Sequence, residues 1–373
     1  MPLKYTLLLL FVSFLSASSF DYLLELKNKN IAVVANQSSR VENKHLVDFL
    51  LENNISVRKI FTPEHGFRGS NDAGAYVQNS VDLKSGLPLI SLYGKNKKPS
   101  RASLEDIDIV VFDLQDVGVR FYTYLSTLHY VMEAVAESDK SMILLDRPNP
   151  NIHYIDGPVL EKGFSSFVGL HPVPLVYGMT IGEYAQMING EGWLKNKIKA
   201  KLNVVKLENY THESRYTLPI KPSPNLPTQN SILLYPSLAL MEGTPYSLGR
   251  GTSHPFQCYG DILYPDHNFS FTPQASKGAK YPKYKNRKVY GKNLQKVDVY
   301  KGKLNLSYLL DAYAKYPNKK KFFLKNLFFD KLAGTDKLRL QLIKGVSEKN
   351  IRKSWKTDID KFKKMREKYL LYP

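Results

Sequence analysis

Short apolar runs alternate with amphipathic stretches through the first 145 residues, and this alternation restricts the fold more than any other feature. Runs at 31–35 (IAVVA), 57–61, 89–92, 107–114 and 141–145 have the length and side-chain character of strands, whereas 44–52 and 123–138 carry a helical pattern. Strand, helix, strand implies parallel pairing, and strands apolar on both sides imply a sheet covered on both faces. The expected fold class is therefore α/β, a Rossmann-like parallel sheet. In open sheets of this kind ligands lie at the carboxyl ends of the strands, so the polar segments 62–69, 93–94, 115–120 and 146–150 should face one crevice. No GxGxxG follows a strand and no GxxxxGK[ST] occurs, so dinucleotide and NTP binding have no support in the sequence.

A chain of 373 residues with 43% hydrophobic content exceeds what one core usually organises. From about residue 219 it turns rich in Pro, Gly, Tyr and Lys, with helical patterns at 304–316 and 351–369. A Rossmann-like domain over 20–216 followed by a smaller α+β C-terminal domain over 217–373 is expected, with the active-site cleft between them. Residues 1–19 read as a secretory signal peptide: Lys4, the apolar stretch 5–15, then Ser16, Ala17, Ser18 and Ser19, with cleavage after Ser18 or Ser19. The apolar stretch is shorter than the ~20 residues of a spanning helix. The chain is thus expected to be exported, periplasmic or secreted, without stable membrane insertion.

Cys258 is the single cysteine, so no intramolecular disulfide can form. Eight histidines with no HxxxH or HxH spacing give no metal signature, and none is expected. The net charge of +19, concentrated in 277–303 and 315–325, favours polyanions. Export would select anionic wall polymers over nucleic acid.

Several motifs carry chemistry. FTPEHGFRG at 61–69 presents Glu64, His65 and Arg68 on a loop stiffened by Pro63. DLQDVGVRFYTY at 113–124 offers Asp113, Gln115, Asp116, Arg120, Tyr122 and Tyr124, carboxylates and planar donors beside aromatic faces, a set suited to carbohydrate. Thr180 and Glu183 in YGMTIGE have the spacing of a capping box. SPNLPT at 223–228 and EGTPYSLGRGT at 242–252 add Asn225, Glu242 and Arg250 in polar loops that nothing local explains.

The ordered set FTPEHGFRG, GLPLISLYG, DIVVFDLQDVGVRFYTY, DRPNP, DGPVL, YGMTIGE, SPNLPT and EGTPYSLGRGTSHPFQ resembles the peptidoglycan exo-β-N-acetylmuramidase family, glycoside hydrolases formerly grouped as a domain of unknown function. The resemblance runs from about residue 30 to the terminal LLYP, with departures at NQSS (36–39), Asp156 and Pro245. It implies removal of terminal non-reducing N-acetylmuramic acid from peptidoglycan-derived muropeptides or disaccharides, without a cofactor. Glu64 matches the family's leading catalytic candidate, and desolvation in a cleft favours the neutral, proton-donating form of a carboxyl. His65 is its neighbour in the catalytic loop. Asp116 and Glu242 are candidates for the second carboxyl group, and the substrate's own 2-acetamido group is the alternative to both. Asn36, Asp113, Gln115, Tyr122 and Asn225 are taken as substrate-binding. Arg68, Arg120 and Arg250 are candidates to clamp the lactyl carboxylate, with Arg68 favoured. The competing reading is a non-catalytic, exported peptidoglycan- or sugar-binding protein.

Overall fold

The computed structural model describes residues 21–67, 80–300 and 302–373. Arg68 and the leader at 1–19 lie outside the described residues. The described residues build a seven-stranded sheet whose strand order is Ser80–Val81, Pro88–Ser91, Ser56–Thr62, Asn30–Ala35, Ile109–Asp113, Ser141–Leu145, Lys201–Val205. All neighbours are parallel except the short Ser80–Val81 edge. The five expected strands are present within a residue or two. Lys201–Val205 was not expected, because an edge strand with a half-exposed, alternating surface lacks the continuous apolar run of its neighbours.

Alternate residues of each strand feed opposite faces. Ile31, Val33, Val111 and Ile143 pack with Leu46, Val47 and Leu50 of helix Leu46–Glu52, and with Tyr22 and Leu26. Ala32, Val34, Val110, Phe112 and Leu144 face helices Tyr124–Glu137 and Ile181–Gly190. That second core runs without a break into the rest of the chain, through Leu226, Leu240, Tyr259, Phe329 and Trp355. The later half carries an antiparallel sheet of Cys258–Asp261, Val289–Asn293 and Ser270–Phe271, with helices including Ser307–Lys315, Phe328–Ala333 and Glu348–Arg366. The two-part mixed α/β architecture is as expected. No helix among the described residues is long and apolar enough to cross a membrane.

Local chemistry sets the helix starts that orient the site. Thr180 accepts from Glu183 N at 3.2 Å while Glu183 Oε2 accepts from Thr180 N at 2.9 Å, the capping box read from the sequence. Thr228 and Ser231 repeat the arrangement at helix Gln229–Leu238. The chain's last residues return to the sheet: Tyr372 Oη donates to Asp146 Oδ2 at 2.6 Å, and Leu371 N to Glu183 Oε1 at 2.8 Å.

Candidate active site between the two halves

A cavity of about 940 Å³ opens at the carboxyl ends of the strands, walled on the far side by the second half. Its size lies at the upper end of the ~300–1,000 Å³ typical of ligand pockets. Strand Ser56–Thr62 leads directly into Pro63, Glu64 and His65, and both Glu64 and His65 line the cavity. Gly66 N donates to Pro63 O at 3.0 Å, and His65 and Gly66 turn the chain with φ of 71° and 73°. A histidine held in the left-handed region costs roughly 1–2 kcal/mol, strain of a kind that collects at functional turns.

Two neighbouring strand ends position Glu64. Thr123, immediately before helix Tyr124–Glu137, donates from Oγ1 to Glu64 Oε2 at 2.7 Å. Tyr93, after Pro88–Ser91, also hydrogen-bonds Glu64; burial first, then the Glu64 charge and that bond, push its phenol well above the ordinary range. Tyr93 belongs to a segment expected at the crevice, but neither it nor Thr123 was given a role from the sequence. Each sits inside a named motif, but only the fold shows that both motifs converge on one carboxylate.

The second half supplies the opposite wall. Glu242 ends a short turn, Ala239–Gly243, and receives Arg250 Nε at 2.7 Å and Nη2 at 2.6 Å on a single oxygen, Oε1. The guanidinium lies 4.9 Å from the centre of the Phe256 ring. Burial opposes the Arg250 charge, whereas Glu242, Tyr235 and Glu64 support it and leave it above its ordinary range. Lys283, which no sequence signal separated from its many lysine neighbours, reaches in beneath Glu242. Its Nζ donates to Glu242 O at 3.0 Å, Tyr246 O at 3.3 Å and Thr244 O; desolvation of the ammonium against these groups pulls it below its ordinary range, although the residue as a whole is exposed. Tyr122 lines the cavity with its hydroxyl on Pro222 O at 3.0 Å, and Asn225 does so with Nδ2 on Gly278 O at 2.8 Å.

Other expected site residues do not reach the cavity. Arg120 is 1% exposed and is enclosed by four carbonyls: Pro158 O at 2.8 Å, Val173 O at 2.7 Å, Leu332 O at 3.1 Å and Ala333 O at 2.6 Å. Both terminal nitrogens are spent on these carbonyls and the buried Nε has no hydrogen-bond partner among the described residues, so the group does not face the cavity; burial pulls it down to about 9. Asp113 is fully buried in a fork-to-fork pair with Arg147, Nε and Nη2 each at 2.6 Å. Gln115 spends its amide on Asp116 O and Pro148 O, and Asn36 bonds Tyr124 Oη at 2.7 Å. These three hold the strand ends together rather than bind a ligand. Asp116 lies beneath the cavity floor, 3% exposed, with Oδ2 accepting from Gly118 N at 2.6 Å and from Tyr177 Oη. Its Oδ1 has no hydrogen-bond partner among the described residues, and burial pushes the carboxyl up to about 6. Of the two expected partners for Glu64, the cavity therefore contains Glu242. No cluster of His, Cys, Asp or Glu able to hold a metal occurs among the described residues.

Comparison with known proteins places the whole chain in one family. Residues 31–230 match the family model described as exo-β-N-acetylmuramidase NamZ, N-terminal, and residues 233–372 match its C-terminal counterpart. The chain is 40% identical over 379 residues to the peptidoglycan β-N-acetylmuramidase NamZ of Bacillus subtilis (strain 168), covering 94% of this chain and 89% of that one. A crystal structure of a DUF1343 family protein from Bacteroides fragilis NCTC 9343 superimposes with a TM-score of 0.87 at 47% identity, covering 94% of this chain and 96% of that chain. A second DUF1343 structure from the same organism gives 0.82 at 30% identity, covering 95% and 98%. A match over nearly the whole chain, in both halves that wall the cavity, establishes that this protein belongs to the exo-β-N-acetylmuramidase NamZ family.

Proposed function

We propose that the protein is an exported exo-β-N-acetylmuramidase that hydrolyses terminal non-reducing N-acetylmuramic acid from peptidoglycan fragments. The observation that carries this reading is Glu64, placed on the cavity by the PEHG turn and hydrogen-bonded by Thr123 and Tyr93. In the proposed mechanism Glu64 donates a proton to the glycosidic oxygen as the bond to the anomeric carbon breaks. Arg250 faces the same cavity with a guanidinium already oriented by Glu242 and Phe256, and it is the described arginine suited to the lactyl carboxylate. Glu242, or the substrate's 2-acetamido group, stabilises positive charge developing at the anomeric carbon. The reading of residues 1–19 as a leader places the reaction outside the cytoplasm, where wall fragments occur.

A chromogenic N-acetylmuramide tested beside the matching N-acetylglucosaminide decides the matter. Release from the muramide alone is expected, together with single N-acetylmuramic acid units from fragments that carry this sugar at the non-reducing end. Release from neither sugar would leave a binding protein, and early release of long oligosaccharides from intact wall would indicate endo cleavage. Mass spectrometry of the exported protein should find a new N-terminus at Ser19 or Phe20.

A further inference from the structure

A segment of the second half, residues 273–287, reaches to the cavity and is tied down at both ends and in the middle. Gln274 N donates to Gly251 O at 2.8 Å and Asn286 N to Pro273 O at 2.7 Å, closing its base. Asn225 holds Gly278 O, and Lys283 Nζ is fixed on the three carbonyls already described. Gly278 is required at its position: with φ of 91°, an added Cβ would stand 2.3 Å from Pro224 Cβ. Between these anchors Lys280 and Tyr281 line the cavity, yet Tyr281 is 80% exposed. Lys280 Nζ and Lys285 Nζ stand 5.6 and 5.8 Å from its ring centre.

An aromatic ring held out on a loop anchored in this way leaves most of its apolar surface in water until a ligand covers it. Sugar rings present C–H faces suited to such a surface. The cavity also exceeds what one hexosamine fills, so room remains beyond the sugar that would sit against Glu64 and Arg250. Resting on the muramidase reading, we propose that Tyr281 is the stacking platform for the sugar on the leaving-group side of the cleaved bond, and that Lys280 and Lys285 draw in the anionic glycan that continues from it. Tyr281 is on this view a specificity-determining residue that favours glycan over small leaving groups.

The test compares a muramyl disaccharide with methyl β-N-acetylmuramide, which has no ring beyond the bond. Tyr281→Ala should lower the ratio of the two kcat/KM values about 3- to 10-fold, mainly through the disaccharide KM, and Tyr281→Phe should restore it. A ratio equal to the parent's in Tyr281→Ala, or one not restored by Tyr281→Phe, overturns the proposal. Should the parent hydrolyse neither sugar, the muramidase reading fails by itself. The platform is then judged by calorimetry with N,N′-diacetylchitobiose, where binding weakened in Tyr281→Ala but kept in Tyr281→Phe supports it and equal binding by parent and Tyr281→Ala overturns it.

Discussion

The two walls of the cavity each present a glutamate, and they hold it in different ways. On the sheet side Glu64 is met by the hydroxyls of Thr123 and Tyr93; on the other side Glu242 is met by the guanidinium of Arg250. A hydroxyl can turn to donate to a carboxylate or accept from a carboxylic acid, whereas a guanidinium only donates. The contacts around Glu64 therefore survive a change of its protonation, while a proton on Glu242 would leave the half-buried Arg250 without its counter-ion. This difference suits the proposed mechanism, in which Glu64 transfers the proton and Glu242 orients Arg250.

The assignment breaks most visibly at Glu64. Glu64→Gln keeps the shape but cannot donate a proton, so turnover of the muramyl disaccharide should fall about 10²- to 10⁴-fold with the melting temperature nearly unchanged. A variant that retained most of its activity would remove Glu64 from the mechanism. Arg250→Met tests the other wall. It should reduce selectivity for the muramide over the glucosaminide about 10- to 150-fold, the equivalent of losing one charge-assisted bidentate bond. Arg120→Met serves as its control, because it leaves four carbonyls unsatisfied. It should cost about 2–4 kcal/mol of stability in denaturant titration while the surviving folded enzyme keeps its selectivity.

A smaller effect is expected from the hydroxyl contact. Thr123→Val deletes the donor at nearly constant volume and should lower kcat about 2- to 10-fold, with a matching displacement of the pH–rate profile that a merely structural loss would not produce. The smallest concerns Asp116, beneath the floor. Its folded-state value of about 6 lies above the ordinary carboxylate range, so its stabilising contribution is complete at low pH and is lost as pH rises through about 6. Asp116→Asn should flatten part of the decline in melting temperature between about pH 4 and 7 while retaining most activity. A loss of turnover as large as that of Glu64→Gln would instead restore Asp116 to the chemistry.

Much of the sheet was legible because strands buried on both faces leave no choice of residue type: Ile31 to Ala35 and Ile109 to Phe112 can be little else. The turn that carries Glu64 was legible for a related reason, since Pro63 and Gly66 fix it locally. Misreadings arose where a residue's role depends on partners remote in sequence. Arg120 is a charged residue in an apolar run beside a polar motif, and nothing within that run tells that carbonyls from the other half will enclose it. Asp113 similarly reads as a free strand-end carboxylate until Arg147 of the next strand end folds onto it. Lys283 illustrates the converse, a cavity-lining position hidden among lysines of identical local character.

The four-carbonyl enclosure of Arg120 also bears on how the molecule comes apart. Two acceptors, Pro158 and Val173, belong to the segment matched by the N-terminal family model, and two, Leu332 and Ala333, to the segment matched by the C-terminal one. A cut between them would part the cation from half of its acceptors and divide a core that is continuous across both halves, so the two halves are expected to unfold as one cooperative unit. Heating should accordingly produce one calorimetric transition for both halves. Refolding must bring together groups 212 and 213 residues apart before that charge is satisfied, which places the enclosure among the high-contact-order events that make a chain of this topology slow to fold.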